Sequence, residues 1–206
     1  MNLPQPAEAP ATGLVFVLSG PSGVGKDSVA RCLREAQFPL GYCITATTRR
    51  QRPGEVHGVN YFFVSPEEFD RMRREGELLE HAVVHGNCYG IPLAQVREKL
   101  RQGNDVLITV DVQGAATVRQ KLPRAISIFL APPSLEELIP RLEGRGTETP
   151  EERAMRLANA AREMEQMSSY DYCVVNHRDR LHETVDQVRS IIVAERCRVA
   201  KRLVTL

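Results

Sequence analysis

The sequence predicts an α/β fold with a mainly parallel sheet flanked by helices. Three observations carry this expectation. Segments of strand character alternate with amphipathic segments over most of the 206 residues. The run Leu14, Val15, Phe16, Val17, Leu18 is apolar at every position and leads into glycine-rich sequence, the pattern of a central strand buried on both faces. The stretch 42–89 is richer in strands and aromatic residues than the rest and reads as a small inserted subdomain.

In chain order, residues 1–12 hold Pro4, Pro6 and Pro10 with no Lys or Arg, and read as a flexible leader. They lack the basic start and apolar stretch of a signal peptide. A strand at 14–18 precedes a helix over 25–35. Strands over 42–47 and 61–64 flank a polar loop at 49–58. Ser65, Pro66 and Glu68 then mark a helix start: a hydroxyl cap, a proline in the first turn and a glutamate completing a capping box. Gly76 ends that helix. A strand at 78–84, a helix at 92–102 closed by Gly103, a strand at 105–110, a helix at 113–121 and a strand at 125–130 follow. The capping signature recurs at Ser134 with Glu137 and at Thr149 with Glu152, starting helices that reach about 143 and 167. A short strand at 172–175 and a long amphipathic helix at 181–200 complete the chain.

Composition narrows the function. With 42% hydrophobic and 26% charged residues the chain is globular, and a net charge of +1 gives no bulk attraction to nucleic acid or an anionic membrane. Its apolar runs fall far short of the about 20 residues of a membrane span. Only Lys26, Lys99, Lys121 and Lys201 are lysines, so arginine makes up most of the 27 basic residues. Cys32, Cys43, Cys88, Cys173 and Cys197 are widely spaced and include no C-x-x-C, which reads as reduced thiols in the cytoplasm. His81 and His85 lie four apart but lack an evident third ligand, so they read as ordinary strand and loop polarity. Oligomeric state is left open.

The strongest chemical signal is Gly20, Pro21, Ser22, Gly23, Val24, Gly25 and Lys26, between a buried strand and a helix. Glycines let backbone N–H groups turn inward around a phosphate chain, and the helix N-terminus adds positive potential. Lys26 supplies a full charge to the outer phosphates. Asp27 stands where this pattern normally has a Ser or Thr whose hydroxyl reaches Mg²⁺, and Ser28 follows it. A second cluster, Arg49, Arg50 and Arg52 before Pro53 and Gly54, suits another anion; on the residues alone it is also compatible with a solvated basic loop. Glu80 alone reads as a strand-edge carboxylate.

Together these residues resemble the guanylate kinase family. The resemblance runs over about 14–195. Besides the phosphate loop it includes Thr47, Thr48 and Arg49 through Gly54 and Glu55, Tyr61 to Val64, Gly86 and Asn87 with Tyr89 and Gly90, Val110 to Gly114, Ala131 to Ser134, Arg141 to Glu148, and Val175 with Asn176. It implies a P-loop nucleoside-monophosphate kinase fold, with a GMP-binding part at about 42–92 and a helical lid at about 144–160. It implies phosphoryl transfer from ATP to GMP, with Mg²⁺ as cofactor. ATP would be held by Gly20, Pro21, Ser22, Gly23, Val24, Gly25, Lys26, Asp27, Ser28 and Asn176. By matching position Arg49, Arg52, Tyr61 and Tyr89 would hold the GMP phosphate, and Thr45 and Glu80 would meet guanine, with Asp111 assigned to the same site. Lys26, Arg141, Arg145 and Arg156 would supply catalytic charge, and Asp27 would be a metal ligand. Ile91 stands where the family usually has a guanine-reading hydroxyl, and Thr109 where it often has an acidic residue. Ile91→Ser or Ile91→Thr is therefore expected to strengthen GMP binding modestly. Two other readings are weighed against this one: a related kinase acting on a ribose phosphate, and a non-catalytic interaction module of the same fold.

Overall fold

The structure is a computed structural model that describes residues 11–84, 86–142 and 150–206, with the backbone alone at 139–142, 150–154 and 156. Its elements are β1 (Thr12–Gly13), β2 (Val15–Ser19), α1 (Lys26–Glu35), β3 (Gly41–Tyr42), β4 (Ala46–Thr47), β5 (Phe62–Phe63), α2 (Pro66–Arg74), β6 (Leu78–Val84), β7 (Asn87–Pro92), α3 (Leu93–Arg101), β8 (Val106–Thr109), α4 (Val112–Lys121), β9 (Ile126–Ala131), α5 (Leu135–Leu142), α6 (Pro150–Glu165) with a 3₁₀ turn at Gln166–Ser169, β10 (Tyr172–Val175), α7 (Leu181–Arg196) and β11 (Val204–Thr205).

The central sheet has the order β10-β9-β2-β8-β3, and every pair in it is parallel. Strand β2 sits in the middle because it can be buried on both sides. Leu14, Phe16 and Leu18 face one layer, with Val29 and Leu33 of α1 and Val185, Val188 and Ile192 of α7. Val15 and Val17 face the other, with Val96 and Leu100 of α3 and Ala115 and Val118 of α4. Two-residue alternation within one strand thus feeds two cores. A second sheet, β5-β4-β7-β6, forms the strand-rich insertion, with β4 and β5 parallel and β7 antiparallel to both neighbours.

The helix starts follow their capping chemistry. Ser65 accepts from the Glu68 N–H at 3.1 Å, and Ser134 accepts from the Glu137 N–H at 3.4 Å. The Thr149 cap lies outside the described residues, as does His85.

Four expectations change. The stretch 42–47 is not one strand: Gly41–Tyr42 pairs with β8 in the central sheet, while Ala46–Thr47 pairs with β5 and β7. Between them the Gln95 side chain bonds both backbone groups of Ile44, at 3.0 and 2.8 Å, and replaces a ladder partner. Asn87–Pro92 is a strand antiparallel to β6, so the helix expected from 92 begins at Leu93. The last helix ends at Arg196, and the chain turns back to pair β11 with β1. That pairing also orders the end of the expected leader: Thr12 partners Thr205, and Ala11 is buried in the core. The five cysteines are free thiols.

Candidate active site

Strand β2 delivers the chain into the loop at Gly20, whose φ is +143°. A Cβ there would lie 2.1 Å from the Leu130 carbonyl oxygen on β9, so only glycine lets the loop leave the sheet at this point. Gly25, at φ +103°, caps α1 in a left-handed conformation. The Lys26 ammonium arches back across the loop and donates to the carbonyls of Gly20 at 2.6 Å and Pro21 at 3.0 Å. Burial pulls its pKa down; the charges of Asp27, Glu163 and Asp111 oppose that. The Ser22 N–H donates to the Glu163 carboxylate of α6 at 3.3 Å, so the loop already presents a backbone donor to an anionic oxygen. Burial raises the Glu163 pKa, and its bond to Ser22 and the charge of Lys26 work against that.

Beside the loop is a cleft of about 240 Å³ lined by Gly23, Gly25, Ser28, Asn176, Arg178 and Leu181. Asn176 borders it but its amide is engaged in the protein. Its Nδ2 donates to the Val24 carbonyl at 2.7 Å, and its Oδ1 accepts from the Thr184 hydroxyl at 2.9 Å. Asp27 is exposed in the first turn of α1.

The insertion builds a cationic cradle. Arg49 is bonded to Glu55 at 2.7 Å, and its guanidinium lies 5.2 Å from the Tyr61 ring centre and 5.7 Å from that of Phe63. The bond to Glu55 raises the Arg49 pKa, burial opposes it, and Tyr89 adds a smaller bond. Tyr61 and Tyr89 stand edge to face at 6.2 Å between centres. Glu55 also accepts from the backbone N–H of Arg52 at 2.8 Å, leaving the Arg52 residue exposed at the rim. The Tyr61 hydroxyl is pushed up to about 12, first by burial and next by the charge of Asp27. The cradle therefore faces the start of α1. Thr45, half-buried, accepts from the Phe62 N–H through its carbonyl at 2.9 Å.

Glu80 on β6 is only 3% exposed. Burial pushes its carboxyl up to about 8, Asp111 adds to this, and Lys121 opposes it. Lys121 donates to the Leu79 carbonyl at 2.6 Å. Asp111 caps α4, accepting from the Gly114 N–H at 2.7 Å. It follows β8, beside the strand that leads into the loop, and shares the space over Gly114 with the Glu80 carboxylate. Ile91 faces Glu80 in the strand register but is 1% exposed and packs with Leu79 and Val96. A hydroxyl at this position would be set among those apolar side chains, opposite Glu80 in the register.

Among the predicted residues, then, Gly23, Gly25, Ser28 and Asn176 line the cleft beside the loop, Arg49, Tyr61 and Tyr89 cluster in the insertion, and the carboxylates of Glu80 and Asp111 both reach the space over Gly114. Arg145 lies outside the described residues, as do the side chains of Arg141 on α5 and Arg156 on α6. Three contributors were not anticipated. They are Glu163, Thr184 and Tyr170, whose hydroxyl bonds Ser19 at 3.1 Å and whose ring carries Arg119 at 4.3 Å. Among the described residues no group of three His, Cys, Asp or Glu side chains could hold a metal by itself. No described helix is long and apolar enough to cross a membrane.

A parallel sheet whose middle strand runs into a phosphate loop, faced by an insertion carrying a second cationic cradle, defines a P-loop protein of the nucleoside-monophosphate kinase fold. The guanylate kinase family profile matches residues 13–195. The guanylate kinase of Halalkalibacterium halodurans is 48% identical over 186 residues, covering 90% of each chain. That of Desulfitobacterium hafniense is 45% identical over 190 residues, 92% of this chain and 94% of its own. The crystal structure of guanylate kinase from Anaplasma phagocytophilum superposes with a TM-score of 0.74 at 35% identity, covering 92% of this chain and 89% of that one. The chain belongs to the guanylate kinase family.

Proposed function

We propose that the protein catalyses ATP-dependent phosphorylation of GMP to GDP, with dGMP as a second acceptor, in purine nucleotide metabolism in the cytoplasm. The observation that carries this reading is the position of Asp111: it follows β8, the neighbour of the strand that leads into the phosphate loop, and its carboxylate lies with that of Glu80 around Gly114 at the start of α4. This neighbourhood of loop and buried carboxylate supports a nucleotide acceptor held opposite a nucleotide donor.

The residues divide the work by chemistry. Gly20, Pro21, Ser22, Gly23, Val24 and Gly25 turn N–H groups toward the ATP phosphates, and Lys26 adds a full charge at the phosphoryl being moved. Ser28 and Asn176 border the nucleoside end. Arg49, Arg52, Tyr61 and Tyr89 hold the GMP phosphate, aiming one of its oxygens at the γ-phosphorus. Guanine presents N1–H and N2–H₂ side by side as donors, and the two oxygens of Glu80 accept both, with Thr45 and Asp111 completing the site. Adenine offers a lone pair at N1, which that carboxylate repels. As the new O–P bond forms, the bond to the ADP oxygen breaks. Arg141, Arg145 and Arg156 of the lid at 144–160 and its flanks supply charge to the oxygens in motion. The GMP-binding part spans 42–92.

Mg²⁺ fits this set without an all-protein cage. It commonly takes one or two carboxylates together with substrate phosphates and water, and Asp27 offers an exposed carboxylate at the loop. When bound, the ion neutralises charge on the transferring phosphates. A ribose-phosphate acceptor has no use for Glu80, Tyr61 and Tyr89 together, which favours the nucleotide.

A coupled ATP-consumption assay across GMP, dGMP, AMP, UMP and a ribose bisphosphate tests the reading. Turnover is expected with GMP and dGMP. Turnover with the ribose bisphosphate and none with GMP would overturn it.

A further inference from the structure

Gly114 is the third residue of α4, and it needs no unusual backbone: it is helical and its N–H is bonded to the Asp111 cap. Glycine is a poor choice for such a position, because it loses more conformational freedom than alanine in a helix. The space around it supplies the reason. A Cβ on Gly114 would lie 2.6 Å from Oε2 of Glu80, 3.1 Å from Cβ of Val110 and 3.2 Å from Oδ1 of Asp111. Val110 could yield by tenths of an ångström. The contact that cannot stand is the one with the Glu80 carboxylate, the far end of a buried side chain, which must shift to admit a methyl group.

We propose that Gly114 is a positioning residue for base selection: its missing side chain lets the Glu80 carboxylate rest against the first turn of α4. A methyl group would push Glu80 off its position and crowd Asp111, with no atom of the phosphate loop among its three nearest neighbours. The proposal rests on the reading of Glu80 as the guanine acceptor.

The test is Gly114→Ala, with KM for GMP, KM for ATP, kcat and thermal midpoint measured together. A bidentate base contact out of register should raise KM for GMP on the order of tenfold or more, with KM for ATP unchanged. The thermal midpoint should hold or rise, since alanine is the better helix former. The double variant Gly114→Ala with Glu80→Asp withdraws the carboxylate by one methylene. Its GMP affinity should equal or exceed that of Glu80→Asp alone, whereas a packing role predicts additive losses. An unchanged KM for GMP in Gly114→Ala, beside a raised one in Glu80→Gln, would overturn the proposal and leave the reading of Glu80 standing. No effect in either would overturn that reading itself. A fall in thermal midpoint, loss of the fold, or equal losses for both nucleotides would make Gly114 an ordinary packing residue.

Discussion

The amide of Asn176, at the end of β10, donates from Nδ2 to the Val24 carbonyl inside the phosphate loop at 2.7 Å. The same amide accepts from Thr184 of α7 at 2.9 Å, and a Cβ on Gly25 would meet it at 2.6 Å. The end of β10 and the start of α7 thereby brace the loop at Val24, 152 residues before Asn176. The family resemblance puts Asn176 near adenine; its geometry adds the task of holding the loop that binds the phosphates.

Asn176→Asp sets a carboxylate oxygen against the Val24 carbonyl in place of a donor. The expected result is a raised KM for ATP, a near-normal KM for GMP and a lowered thermal midpoint. Thr184→Val should produce a weaker version, since one buried hydrogen bond contributes about 0.5–1.5 kcal/mol net. Nucleotide titration and thermal unfolding of both variants check this. Equal effects on the two nucleotides would separate Asn176 from the loop.

Burial holds the Glu80 carboxyl at about 8, against 4.5 for a free one. Between those values the folded protein keeps a proton that the unfolded chain has released. Stability from the protonated form is complete below the unfolded pKa and is lost as the pH rises through the folded one. Glu80→Gln carries no such loss. Its stability relative to wild type should therefore climb between pH 4.5 and about 8, by on the order of 1.4 kcal/mol per pH unit. GMP affinity of the wild type should improve over the same window as the reading carboxylate ionises. Denaturant unfolding at a series of pH values decides it; parallel curves for the two proteins would count against a buried, proton-holding Glu80.

Asp27 is exposed in the first turn of α1, and on the proposed reading the ATP phosphates and their metal meet the helix there. Two anions 4 Å apart repel by about 4 kcal/mol at an effective dielectric of 20. A bridging Mg²⁺ reverses the sign. Asp27→Ser and Asp27→Asn should both bind metal-free ATP more tightly than wild type and show a narrower Mg²⁺ dependence. If the affinity ratio with and without Mg²⁺ is the same in all three proteins, Asp27 does not touch the metal.

What the sequence made legible was local. The phosphate loop was readable because its glycines, lysine and flanking elements are contiguous, and strand β2 because the run Leu14 to Leu18 is apolar at every position. The break in 42–47 was not, because the agent that splits it is Gln95, fifty-one residues away. Strand β7 was hidden by Gly90, which breaks the two-residue alternation and reads as turn; a Cβ there would crowd the Glu80 carbonyl at 3.0 Å. Glu163 and Thr184 look like ordinary helix residues and gain meaning only by meeting Ser22 and Asn176 across 141 and 8 residues. Ile91 departs from the family pattern at a position that is 1% exposed and belongs to the same core cluster as Leu79 and Val96, a burial that the sequence pattern alone did not reveal.

The most direct test of the central claim is the ratio of kcat/KM for GMP to that for AMP, in wild type and in Glu80→Gln. The account predicts a large ratio in wild type and a fall on the order of 10- to 100-fold in the variant, the size of a lost bidentate base contact of about 1–3 kcal/mol, with KM for ATP nearly unchanged. An identical ratio in the two proteins would contradict it.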